Sequence, residues 1–260
     1  MLKHIAVNIK ANLKLFKRTG FAISMGLIFL AYLVLMFIFQ IQIGTISGLE
    51  KFDIIKNFSS QFSSLSMFFS AALALIVLAT PLKNRSAKMV FTKPCPPELW
   101  VLSGYLSVFL VLFILQLFCL MVSVVLFFLW NVPFQWGVFF VFFYRLFRSM
   151  LVVSYIIILS VCVSQPEAVF LVLFFNSWNF YFFTKVVSYK LILREIFYFI
   201  YMILPVYSPF KDKIGSVFSS YNFTSSDLKY LLFTFVYTFV FFVFSWLLTI
   251  AIIKRKKHIL

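Results

Sequence analysis

The chain has 260 residues, 63% of them hydrophobic and only 12% charged, yet 23 Lys and Arg against 7 Asp and Glu leave it at +16. Soluble domains hold about 45–50% apolar and about 25% charged residues, and a mean hydropathy of +1.05 means more apolar surface than a water-soluble core of this size can hide. A water-soluble globular domain is excluded, and the bilayer is the solvent for most of the chain.

A helix crosses the hydrocarbon with roughly 20 apolar residues. Residues 1–18 come first, setting Ile5, Ile9, Leu13 and Phe16 at helical spacing with Lys3, Lys10, Lys14 and Lys17 on other faces. This predicts an amphipathic interfacial helix on an anionic leaflet, the plainer alternative being basic flanking sequence without a defined helix. Phe21–Phe39 is the first span, and no small-residue cleavage site follows it, so it does not read as a signal peptide. The segment from Gln40 to Leu65 balances Glu50 and Asp53 against Lys51 and Lys56, and its stretch Phe39–Phe58 is ambiguous. Spans are then predicted at Ser66–Leu82, Leu99–Trp130, Gly137–Val163, Ala168–Thr184 and Tyr230–Ile253. The third exceeds a minimal crossing, so it tilts or continues as helix beyond the bilayer. Leu191–Phe210, before the last span, is ambiguous again.

Basic residues near span ends set orientation. Lys3 to Arg18, the loop with Lys83, Arg85, Lys88 and Lys93, and the tail Lys254–Lys257 all fit a cytoplasmic side, while Asn131–Trp136 is uncharged. Both termini inside with six spans satisfies these together. Only the loop before the last span, whose Lys185, Lys190, Arg194, Lys211, Lys213 and Lys229 face Glu195, Asp212 and Asp227, fits less well. The expected protein is therefore a single all-α polytopic transmembrane domain over residues 1–260, in a bacterial plasma membrane.

Several activities drop out of the residue census. Every Asp and Glu falls in a loop or at a span end and both His residues are terminal, which argues against proton- or sodium-coupled carriers that bind the ion at an intramembrane side chain. No His-Glu-x-x-His pair, no in-span base for a nucleophile and no Walker loop occurs. Cys95, Cys119 and Cys162 read as small apolar fillers, and the 39 Phe residues as lipid-facing bulk. The chain is thus expected not to be an enzyme and to hold no cofactor or metal of its own. Arg145 and Arg148, three residues apart in the fourth span, share a helix face. They either snorkel to the headgroups or form an anion-attracting substrate pathway. Asn176, Ser177 and Asn179 in the fifth span are interhelical glue or a further part of that pathway. Gln116 in the third span is a weaker polar signal.

Two stretches carry a family resemblance. Lys83–Leu106, KNRSAKMVFTKPCPPELWVLSGYL, resembles the cytoplasmic loop of type 2 ABC-transporter permeases, with Pro94, a turn through Pro97 and Glu98, and Gly104 in the restarted helix. Phe197–Phe218, FYFIYMILPVYSPFKDKIGSVF, with the last span and basic tail, is similar to the C-terminal part of the same family. Asn84, Arg85, Ser86 and Ala87 replace an acidic residue and a Gly-Thr pair common there, and Tyr105 replaces a basic residue.

The resemblance implies a cytoplasmic coupling helix between spans 2 and 3, with Arg85, Ser86, Lys88, Met89, Phe91 and Glu98 facing an ATPase. It also implies that Leu191–Phe210 forms a helical re-entrant excursion. A cytoplasmic ABC ATPase subunit supplies ATP and Mg, and a second permease copy or paralogue completes the pathway; membrane lipids are the remaining partner, with no nucleic acid. The expected function is the membrane-spanning subunit of an ATP-driven exporter of amphipathic or hydrophobic cargo such as peptides, toxins or drugs. The alternatives are a non-transporting scaffold or channel subunit, or an exporter of lipid-linked polysaccharide.

Overall fold

The computed structural model describes residues 2–18, 20, 23–24, 26–28, 30–31, 34–35, 48–83, 96–162 and 225–257. All the regular structure among them is helical. Four helices are long and apolar enough to cross a membrane, over Lys51–Leu78, Pro97–Leu129, Gly137–Cys162 and Ser225–Arg255. The protein is a multi-pass membrane protein.

Helix α1, Leu2–Arg18, is the amphipathic opening segment. Lys10, Lys14 and Lys17 are exposed, while Leu13 and Phe16 pack on the core. Residues 23–24, 26–28, 30–31 and 34–35 of the first predicted span are helical. Helix α2 covers Gly48–Ala74 and continues through a π turn, Leu75–Ala79, into a last α turn, Thr80–Lys83. Pro81 has no N–H to bond the carbonyl one turn back. Just before it the ladder widens: the Thr80 backbone N–H bonds the Leu75 carbonyl, and the Thr80 hydroxyl donates to the same oxygen at 3.0 Å.

Helix α3, Pro97–Leu129, begins with Pro at its first position and Glu98 in its first turn, where fixed φ and negative charge both suit a helix start. Its 33 residues make about 50 Å, well beyond a hydrocarbon core of about 30 Å. It ends in a Schellman turn: Asn131 adopts φ 51, and the Val132 and Asn131 N–H groups bond the Phe127 and Phe128 carbonyls. Phe134 and Trp136 pack edge to face across the short connection, an aromatic belt of the kind found at membrane interfaces. Helix α4, Gly137–Cys162, and helix α5, Ser225–Lys257, complete the described fold.

Phe52 meets Phe127 at the aromatic end, while Leu78 meets Gly104 near the other, so α2 and α3 are antiparallel. Tyr230 meets Tyr144, Tyr155 stacks on Phe241 at 4.4 Å, and Lys254 reaches Glu98. Helices α2, α4 and α5 therefore run from the aromatic end to the Glu98 end, and α3 runs back. Asn12 of α1 donates to Ser107 of α3 at 3.1 Å, which places α1 toward the Glu98 half.

The third, fourth and last predicted spans coincide with α3, α4 and α5 to within a few residues. The second differs. Ser66–Leu82 was expected, and the helix begins at Gly48. Hydropathy treats every side chain as facing lipid, but Ser59, Ser63 and Ser66 are buried against neighbouring helices and Ile55, Phe58 and Phe62 fill the core. Coupling residues Arg85, Ser86, Lys88, Met89 and Phe91, the span Ala168–Thr184 with Asn176 and Asn179, and the segment Leu191–Phe210 lie outside the described residues.

Candidate functional site

Among the described residues, one group of buried polar side chains forms a seam between α2, α3 and α4. Its source is a serine repeat. Ser59, Ser63, Ser66 and Ser70 fall three or four residues apart, so they share one face of α2, and all are buried. Ser66 and Ser70 turn their hydroxyls onto the Ser63 and Ser66 carbonyls at 2.7 and 2.8 Å.

Gln116 of α3, 1% exposed, answers that face. Its amide nitrogen lies 3.0 Å from the Ser63 hydroxyl, 2.6 Å from the Ser66 hydroxyl and 3.3 Å from the Ser63 carbonyl. One turn nearer the aromatic end, the Cys119 thiol sits 3.9 Å from the Ser59 hydroxyl and 3.6 Å from the Ser59 carbonyl. Ser123 continues the line, donating to the Cys119 carbonyl at 2.9 Å.

Arg145 enters from α4. It is 6% exposed, and its guanidinium donates to the Ser59 hydroxyl. At 1.5 Å per residue it lies about 12 Å below the Gly137 turn, so its guanidinium points into the bundle rather than up to the headgroups. Arg148, one turn further on, is partly exposed. The two arginines share a helix face, and Arg145 joins the seam at Ser59.

A second polar contact joins α3 to α5. The Tyr105 hydroxyl lies 2.5 Å from Ser245 and 3.1 Å from Thr249. At the end of the same interface, Glu98 pairs with Lys254 at 2.7 Å, and its carbonyl accepts from the Trp246 indole at 3.3 Å. Glu98, the last residue of the predicted coupling loop, is thus tied to the terminal helix by side chain and backbone. Gly104 explains how closely α2 approaches here: a methyl group at that position would overlap the Leu78 side chain.

Of the predicted site residues, Arg145 reaches Ser59 and Glu98 reaches Lys254. Ser59, Ser63, Ser66 and Cys119 were not foreseen. The signal for the serines was present in their spacing, but it becomes visible only if 48–65 is read as helix. The seam contains hydroxyls, an amide, a thiol and one guanidinium, and no group of His, Cys, Asp and Glu suited to a metal is found among the described residues. Such a set can hold three helices in register and fix a positive charge inside the bundle. Compared with known proteins, the chain matches no family model, no curated protein and no solved structure.

Proposed function

We propose that the chain is the membrane-spanning subunit of an ATP-driven exporter, working with a separate cytoplasmic ABC ATPase and a second permease copy. The observation that carries this reading is the junction at Glu98. The loop 83–98 has the Pro-bounded sequence of a coupling element, and its last residue is held to both α3 and α5. A displacement delivered to that loop therefore moves two membrane helices together. Arg85, Ser86, Lys88, Met89 and Phe91 form the face offered to the ATPase. Such a partner supplies the energy in this reading; among the described residues, Asp53, Glu98 and Asp227 stand near helix starts, as expected of a chain that does not couple to an ion within the bilayer.

Six crossings is the count we propose. The positions of the described ends support it: α1 packs toward the Glu98 half and α2 starts at the aromatic end, as one crossing between them requires. Cys162 lies at the Glu98 end and Ser225 at the aromatic end, with the fifth predicted span, Ala168–Thr184, between them in sequence. Both termini then share the cytoplasmic side, and the 191–210 excursion lies before the last crossing. Hydrophobic or amphipathic peptides are the favoured cargo, with Arg148, Asn176 and Asn179 along the route attracting polar and anionic groups.

Affinity purification from the native membrane tests the pairing. A nucleotide-hydrolysing subunit should co-purify in stoichiometric amount, and Arg85→Ala, Met89→Ala substitution should leave insertion intact while uncoupling hydrolysis from export. Purification of the intact chain alone, with ATP-independent transport in liposomes, would overturn it in favour of a channel.

A further inference from the structure

Helix α1 divides its surface into three faces, where a simple amphipathic pattern has two. Ile5, Ile9, Asn12, Leu13 and Phe16 are partly buried, with Leu13 and Phe16 on the core and Asn12 donating to Ser107 of α3. The main apolar face is therefore occupied by the bundle. Lys10, Lys14 and Lys17, three or four residues apart, form one exposed stripe. Val7, Ala11 and Leu15 form a second, about a quarter turn away, and in it Val7 is 66% and Leu15 43% exposed.

Counting along α3 fixes the depth of this helix. The aromatic belt at Phe134 and Trp136 marks one boundary of the bilayer. Ser107 lies about 33 Å from Leu129 along α3, and the hydrocarbon core is about 30 Å thick. The Asn12 contact therefore stands at the opposite boundary. Pro97 lies about 15 Å further out, so α3 rises beyond the bilayer there while α1 stays at its surface.

At that level a helix has phosphate groups to one side and acyl chains to the other, which matches the two exposed stripes. The charges are also available. Among the described residues no acidic side chain pairs with Lys10, Lys14 or Lys17, whereas Lys254, at the protruding end, is paired with Glu98.

We infer that α1, held on α3, is a binding site for anionic phospholipid. Lys10, Lys14 and Lys17 take the phosphate groups, and Val7 and Leu15 rest among the acyl chains. The site needs neither cargo nor ATPase, so it stands apart from the exporter reading.

Native mass spectrometry of the purified chain in neutral detergent, titrated with phosphatidylglycerol or phosphatidylcholine, tests the site. Each lysine at an anionic surface is worth about fivefold in binding, so phosphatidylglycerol should bind at least about tenfold more tightly. Lys10→Gln, Lys14→Gln, Lys17→Gln substitution, all on exposed positions, should remove that preference. Lys51→Gln, Lys56→Gln substitution, at the aromatic end, should leave it in place. A preference that survives the triple substitution, or that falls equally with the Lys51 and Lys56 pair, overturns the site.

Position is read separately from nitroxide labels at Lys14→Cys and Leu15→Cys, with Cys95, Cys119 and Cys162 replaced by Ala, in phosphatidylglycerol vesicles. The label at position 15 should favour oxygen and that at 14 a water-soluble nickel chelate. Chelate access at both would place α1 off the bilayer, leave its lysines to an acidic protein partner and overturn the lipid site. Should the cysteine replacements disturb the fold, the titration, which keeps every native Cys, still decides.

Discussion

Two faces of α2 hold the same kinds of residue with opposite fates. Ser59, Ser63 and Ser66 are buried and bonded to α3 and α4, while Ser60, Gln61 and Ser64, one or two positions away, lie exposed beside a cleft. Composition does not separate them; the neighbour does. The inner face meets Gln116, Cys119 and Arg145, which complete its hydrogen bonds. A polar residue within a bilayer either finds a protein partner or borders water, and the inner face takes the first solution.

Substitutions that break the inner face should have the largest effect on stability. Arg145→Ala removes a buried side chain that bridges α4 to Ser59 and leaves a cavity, so a loss of about 3 kcal/mol is expected, read by chemical unfolding in detergent micelles. Arg145→Met, which keeps the volume without the charge, should recover most of it, because a buried cation is costly to desolvate. Gly104→Val comes next, at about 2 kcal/mol, since the new side chain meets Leu78. Leu78→Ala in the same chain should restore much of that loss; no recovery would mean that α2 and α3 do not pack through this contact.

Gln116→Leu sharpens the comparison further. It removes the amide contacts to Ser63 and Ser66, and interhelical hydrogen bonds in membranes average about 0.6 kcal/mol, so thermal unfolding should shift only slightly. Gln61→Leu, on the outer face, should leave stability within about 0.5 kcal/mol. A loss as large as that of Arg145→Ala would show Gln61 to be sealed in the protein, and the two faces would no longer differ.

Apolar runs made α3, α4 and α5 legible in the sequence, because their hydropathy is high whichever way each residue turns. The start of α2 was not legible. Its Glu50, Lys51, Asp53 and Lys56 read as a loop, and its serines lowered the local hydropathy until Gln116 and Arg145 were in place to receive them. Arg145 stood out as an intramembrane charge, but sequence alone left snorkelling and burial equal; its partner Ser59 comes from a helix 86 residues away. Cys119 read as a filler, and its neighbour Ser59 gives it a place in the seam. Glu98 was legible at the start of α3, whereas its tie to Lys254 and Trp246 required the long return of the chain.

The exporter reading itself stands on the coupling of the 83–98 loop to transport. Inside-out proteoliposomes containing the chain and its ATPase partner, supplied with a labelled hydrophobic peptide, measure that directly. Peptide should accumulate only while ATP is hydrolysed, and Arg85→Ala, Met89→Ala substitution should abolish accumulation while hydrolysis continues. Accumulation that persists without ATP, or that is indifferent to the loop substitutions, would contradict the account.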